Sequence, residues 1–153
     1  MGLYTSNTQA NDTKDNCGFG LIAQLDGERS HTIVERAVTA LARMMHRGAI
    51  GADGKTGDGC GLLMQLPDTF FRELAAENGW SLGKKFAIGQ VFLSQNKQQR
   101  EHAKRIIEQE LAKETLTVHG WRQTPVNASV LGEIAASTQP HLEQVFVSAQ
   151  PGW

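Results

Sequence analysis

The stretch Asn16-Cys17-Gly18-Phe19-Gly20-Leu21-Ile22-Ala23-Gln24-Leu25 joins two unlike halves. Before it lies a polar run, Thr5-Ser6-Asn7-Thr8-Gln9-Ala10-Asn11-Asp12-Thr13, without the apolar core of a secretory signal. After Cys17 the chain turns apolar. Phe19 to Leu25 reads as a first core strand, ended by the turn signal Asp26-Gly27. Residues 1–16 therefore read as a leader. A cysteine is by default a small buried hydrophobe. Cys17 departs from that default by position. If the chain is cut between Asn16 and Cys17, the thiol sits on residue one beside a free α-amine. Such an amine titrates near about 7.7–8.0 and a thiol near about 8.5. The amine can then take the thiol proton with no histidine base, as in nucleophiles paired with a terminal amine. Spacing alone leaves both readings open.

Outward from that strand, the elements follow in alternation. Thr32 and Glu35 form a capping-box signature for a helix carrying Val34, Val38, Leu41 and Met45 on one face, stopping at His46-Arg47-Gly48. A glycine-rich loop, Gly51 to Gly61, leads into a second expected strand, Gly61 to Leu66. Asp68 caps a second helix with Phe70, Phe71, Leu74 and Ala75 inward, closed by Asn78-Gly79. A strand is expected at Phe86–Leu93, a helix at Lys97–Lys113 with Ala103, Ile106, Ile107 and Leu111 inward and a solvated charged outer face, and strands at Thr115–Trp121 and Gln144–Val147. This order fits a doubly wound parallel sheet or a layered α/β sandwich; pattern alone does not separate them.

Composition narrows the function. The chain has 153 residues, enough for one domain with a core, and 40% are hydrophobic. A net charge of −1 offers no electrostatic footprint for nucleic acid or an anionic membrane. No apolar run approaches the roughly 18 residues of a spanning helix. Cys17 and Cys60 are the two thiols. They make no disulfide framework and no CxxC pair for zinc, so no metal is expected; single thiols suit a reducing cytoplasm.

The glycine-rich loop fails as a phosphate loop. Gly54-Lys55-Thr56 has Ala49 where the first glycine belongs, and the loop follows a helix and precedes a strand, the reverse of the required context. A tight turn using φ > 0 is the plainer reading. Arg47 lies thirty residues after Cys17. An arginine there either neutralises a helix C-terminus or grips a carboxylate as a bidentate fork. His46 reads as a structural residue at the helix end, Asp58 as a turn residue with a chance of touching substrate, and Cys60 as a buried thiol. Trp80, Trp121 and Trp153 read as packing.

Cys17-Gly18-Phe19-Gly20-Leu21-Ile22-Ala23, His46-Arg47-Gly48-Ala49 and Ala52-Asp53-Gly54-Lys55-Thr56-Gly57-Asp58-Gly59-Cys60-Gly61 together resemble the N-terminal class II glutamine amidotransferase domain of glutamate synthase large subunits, in the N-terminal nucleophile hydrolase superfamily. The likeness continues through Val130-Leu131-Gly132-Glu133-Ile134-Ala135 and Gln144-Val145-Phe146-Val147. It implies an α+β fold, a four-layer αββα sandwich incomplete in this chain. It implies that residues 1–16 are a propeptide and 17–153 the N-terminal part of the amidotransferase domain. It makes Cys17 the nucleophile that releases ammonia from L-glutamine through a γ-glutamyl thioester, and Arg47 the group that holds the glutamine α-carboxylate. His46, Gly48 and Asp58 fall in the same motifs as structural or loop residues. For the whole enzyme it implies an ammonia tunnel, reductive transfer to 2-oxoglutarate, FMN, a 3Fe-4S cluster, NADPH or ferredoxin as electron donor, and a small subunit in the NADPH type. None of those cofactors is expected in this segment.

The resemblance places the family's oxyanion donors and α-amine ligand past Trp153. Losing an oxyanion donor typically costs ~10²–10³ in rate, so the expectation is that the 153-residue chain alone is not a competent glutaminase. Two other readings stand beside it: a non-catalytic or assembly module, and the amidotransferase part of another class II enzyme, against which the loop at 51–61 argues.

Overall fold

The computed structural model describes residues 18–44, 50–57 and 59–150. They fall into two compact units. Unit one takes in the described residues up to 52 and those between 57 and 64; unit two takes in 53–56 and 65 onward.

In unit one, α1 spans His31–Arg43. Ile33, Val34, Ala37 and Leu41 share its half-buried stripe, while Val38 is turned outward, 52% exposed. The expected capping box does not form. Ser30 is the N-cap, no side chain caps it, and Glu35 instead approaches His31 at 3.7 Å. The helix stops at Arg43 with Met44 as C-cap, short of the expected His46-Arg47-Gly48, of which residues 46–48 lie outside the described set. Ile50 and Gly57 form an isolated antiparallel bridge that closes the glycine-rich loop at its base.

Two expected strands are corrected. Among the described residues, 19–25 and 61–66 carry no strand, and their side chains lie open: Phe19 93%, Leu21 88%, Leu25 101% and Leu63 100% exposed. A strand exists only where a neighbour takes its N–H and C=O groups, and no such neighbour stands beside these runs among the described residues.

Unit two holds the sheet. Its elements run α2 (Asp68–Glu77), β1 (Phe86–Leu93), α3 (Lys97–Lys113), β2 (Leu116–Gln123), a 3-10 turn (Ala128–Val130), α4 (Glu133–Ser137) and β3 (His141–Ala149). β3 lies between β1 and β2 and pairs antiparallel with both, so the sheet is antiparallel and not doubly wound. β1 and β2 consequently run parallel to each other with α3 between them in sequence, a split β-α-β unit. β1 and α3 match their expected bounds. β3 extends beyond its expected bounds at both ends, and β2 begins at Leu116 in place of Thr115 and runs on to Gln123, because the pairing between the strands sets their ends. His119 sits at a bulge between Val118 and Gly120, a local break in the β2–β3 register.

α2 ends as its sequence indicates. Gly79, at φ +75°, takes the left-handed position, and the Gly79 and Trp80 N–H groups donate to Ala76 and Ala75, each at 2.9 Å. That ending delivers the Trp80 ring to Phe146, 5.1 Å between centroids, where Phe71 also packs at 6.1 Å. Phe146 is completely buried and anchors this face of the sheet. Gly120 is required there, because a Cβ at that position would overlap the Trp80 ring.

α3 covers the opposite face. Arg100, Ala103, Lys104, Ile107, Glu108 and Leu111 turn inward, while Ile106 is 45% exposed. Part of the charged surface expected to face solvent thus faces the sheet. Lys104 Nζ donates to Glu143 on β3 at 2.8 Å, and Trp121 Nε1 donates to Glu108 at 2.6 Å. Asn96 caps the helix by accepting from the Gln99 N–H at 3.1 Å.

Candidate functional site

Cys17, His46, Arg47, Gly48 and Asp58 all lie outside the described residues. Cys60 is described, and it is exposed rather than buried, a correction to the default reading of a lone thiol. It stands among open glycines and exposed apolar side chains, and among the described residues no core surrounds it to bury the sulfur.

Between these positions the structure shows an arrangement that sequence reading missed. Asp53 and Thr56 tie the glycine-rich loop to the start of α4. Asp53 Oδ1 accepts from the N–H groups of Lys55 and Thr56 at 3.1 and 2.8 Å, which fixes a tight turn. Gly54 at φ +69° lets the backbone make it, the left-handed turn expected of this loop. The Thr56 hydroxyl donates to Asp53 Oδ2 at 2.5 Å. From this turn, Asp53 Oδ2 accepts the Ile134 N–H and Thr56 Oγ1 accepts the Ala135 N–H, both at 3.2 Å.

The reason lies in the first turn of α4. Its first N–H groups have no partner inside the helix. The N-cap is Gly132, which has no side chain to offer, so the cap comes from the loop. Gly132 also makes the approach possible: a Cβ there would collide with the Asp53 carboxylate and the Thr56 hydroxyl, and would lie 2.7 Å from the Thr56 nitrogen. The Thr56 hydroxyl, followed by its backbone N–H, holds the Asp53 carboxyl well below the usual carboxylate range. The cap is therefore an anion at neutral pH. Residues 53–56 and the start of α4, far apart in sequence, meet through these bonds.

Among the described residues no three His, Cys, Asp or Glu side chains cluster as metal ligands, and no helix is long and apolar enough to cross a membrane.

Residues 17–153 match the family described as glutamine amidotransferases class-II, and the match begins at Cys17. The chain belongs to this family. It is 43% identical over 147 residues to the ferredoxin-dependent glutamate synthase 2 of Synechocystis sp., an alignment covering 92% of this chain and 9% of that protein. It is 39% identical over 153 residues to the large chain of the NADPH glutamate synthase of Azospirillum brasilense, covering 98% of this chain and 10% of that one. It is 43% identical over 133 residues to the ferredoxin-dependent glutamate synthase 1 of Arabidopsis thaliana, covering 86% and 8%. The chain thus spans about a tenth of the length of these curated relatives.

Proposed function

We propose that the chain supplies the glutaminase nucleophile of a glutamate synthase, with Cys17 exposed as residue one by removal of residues 1–16. The observation that carries this reading is the family match that starts at Cys17, joined to relatives that are all glutamate synthases by name. Once the bond to Asn16 is cut, the Cys17 nitrogen is an amine. It takes the thiol proton, and the thiolate attacks the side-chain carbonyl of glutamine. The amine returns the proton to the leaving nitrogen as ammonia departs and a γ-glutamyl thioester remains. Water, deprotonated by the same amine, then releases glutamate and restores the thiol. Arg47 grips the glutamine α-carboxylate through a two-pronged hydrogen bond that lysine cannot match.

The ammonia passes to 2-oxoglutarate in the rest of the enzyme, which with L-glutamine and, in the NADPH type, a small subunit makes up the partners. The resemblance implies FMN and a 3Fe-4S cluster for the whole enzyme; with Cys17 and Cys60 as its two cysteines, this segment has fewer thiolates than such a cluster's ligands. The sheet with α3 on one face supports an αββα sandwich, because the other face is only partly covered, with Phe92 71% exposed. The free thiol of Cys60 fits a reducing cytoplasm.

The test is labelling of the natively expressed protein with an electrophilic glutamine analogue, followed by peptide mapping. Modification of Cys17, protected by glutamine, supports the reading; modification of Cys60 in its place rejects it.

A further inference from the structure

We propose that Arg122 and Phe92 anchor a docking surface on the sheet, and that its occupant is an acidic segment of the same large chain, lying beyond residue 153. The inference goes beyond the function proposed above and needs only that these residues form part of a longer chain. Register fixes the surface. Gln90, Gln144 and Arg122 stand side by side across β1, β3 and β2, and Phe92 pairs with Leu142 next along the sheet. Residues directly opposite share a face, and so do residues two apart on one strand. All five therefore share the face on which Phe146 packs against Phe71 and Trp80. The cover thins past Phe146: Gln90 is exposed, Phe92 is 71% exposed, and Leu142, Gln144 and Arg122 are half-buried.

Charge on this face is unbalanced. Arg122 Nη1 donates to Gln144 Oε1 at 3.0 Å, and Gln90 Nε2 donates to Thr124 Oγ1 at 2.8 Å, so the row is held by neutral groups. Among the described residues Arg122 forms no ion pair, whereas Arg100 and Lys104 on the opposite face share Glu143. The donors left over on its planar fork match the two oxygens of a carboxylate. Phe92 adds an apolar anchor, and arginine and aromatic side chains are the pair that interfaces favour. Strands lie about 4.8 Å apart, so Phe92 on β1 and Arg122 on β2 stand roughly 10 Å apart, a span that about three or four extended residues bridge. The charge calls for an acidic occupant, and tethering calls for one in cis. This chain spans 9% and 10% of the lengths of two relatives. A segment of the same polypeptide reaches the face at a high effective concentration that a separate partner lacks.

The test uses a full-length large chain carrying these residues, with the photo-reactive amino acid benzoylphenylalanine at position 92, irradiated and then mapped peptide by peptide. The expected product is an intramolecular cross-link from position 92 to a peptide beyond residue 153 that contains Asp or Glu. Arg122→Gln is expected to lower its yield about tenfold, with amide protection at Val145 and Val147 kept. Arg122→Lys, which keeps the charge but not the fork, lowers it about threefold. Gln144→Glu, which sets a carboxylate beside Arg122 within the sheet and leaves Arg122 in place, also lowers it about tenfold. The absence of a cross-link overturns the inference, as does one confined to residues 18–150, to a second copy or to a separate protein. A yield that neither Arg122→Gln nor Gln144→Glu changes overturns it too. Glutamine turnover is read on the same preparation. An active chain without the cross-link overturns this inference alone, whereas an inactive chain that forms it overturns the function proposed above and supports the docking.

Discussion

Lys104 on α3 donates to the Glu143 carboxylate on β3 at 2.8 Å, and this bond pins the helix to the middle strand of the sheet. Glu143 also accepts from His141 at 2.9 Å if that ring nitrogen is protonated, and Arg100 stands 3.8 Å away. Its side chain is only 9% exposed. Lys104 in turn lies 5.0 Å from the centre of the Trp121 ring. Removing one partner of a buried ion pair strands the others and costs about 3–5 kcal/mol. Glu143→Ala should therefore lower stability by roughly 3 kcal/mol, the low end of that range because Lys104 and Arg100 keep some solvent. Urea unfolding measures it; a loss under about 1 kcal/mol would mean the cluster is held chiefly by water.

The same carboxylate sets an acid response. Burial pushes Glu143 up, but the hydrogen bond and charge of Lys104, with His141, more than offset this and hold it below its ordinary value of 4.5. A carboxyl with a lowered folded pKa contributes stability that is complete above its unfolded value and is lost as pH falls through the folded one. Stability should thus fall on acidification below about 4.5, and Glu143→Gln should flatten that slope while lowering stability at neutral pH. Asp53, depressed by Thr56, acts with the same sign. Unfolding midpoints taken between neutrality and the acid range check both, and an identical slope in Glu143→Gln speaks against the assignment.

Phe146 and Gly120 make a matched pair of tests on the other face. Phe146→Ala empties the site between Phe71 and Trp80 and should cost about 3–5 kcal/mol. Gly120→Ala fails for the opposite reason. Its Cβ displaces the Trp80 ring, an overpacking worth about 1–3 kcal/mol. A shifted tryptophan emission in folded Gly120→Ala would report the displaced ring. Unchanged emission and stability would show that Trp80 moves freely and anchors nothing.

Gly132→Ala probes the α4 cap from the helix side. The added carbon meets the Asp53 carboxylate and the Thr56 hydroxyl and would force the loop away. Amide exchange at Ile134 and Ala135 should quicken, while α3 and the sheet keep their protection. Exchange as slow as in the wild type would mean the cap tolerates a side chain.

What could be read in the sequence divides along physical lines. β1 and α3 were legible because their patterns satisfy local rules: Phe86–Leu93 is apolar apart from Gln90, and Lys97–Lys113 carries Ala103, Ile107 and Leu111 at helical spacing. Phe19–Leu25 and Gly61–Leu66 carry equally apolar patterns but form no strand, since a strand depends on a partner that its own residues do not specify. The inward turn of Arg100 and Lys104 was hidden for a related reason. Only the position of Glu143 on β3 gives those charges something to meet. In the site, Cys17 stood out by its place between a polar run and an apolar one. The Asp53-Gly54-Lys55-Thr56 turn was visible as a turn, yet its bond to Ile134 spans 81 positions and has no local signature.

The most direct measurement is the intact mass and N-terminal sequence of a full-length large chain carrying these residues, taken alongside its glutamine turnover. The account predicts an active full-length protein whose first residues read Cys-Gly-Phe-Gly, with Met1 to Asn16 gone, and no turnover by the 153-residue chain alone. An active protein that still carries Met1 to Asn16 would contradict it, because the lone pair of an amide nitrogen at Cys17 is delocalised into the carbonyl and does not take the thiol proton.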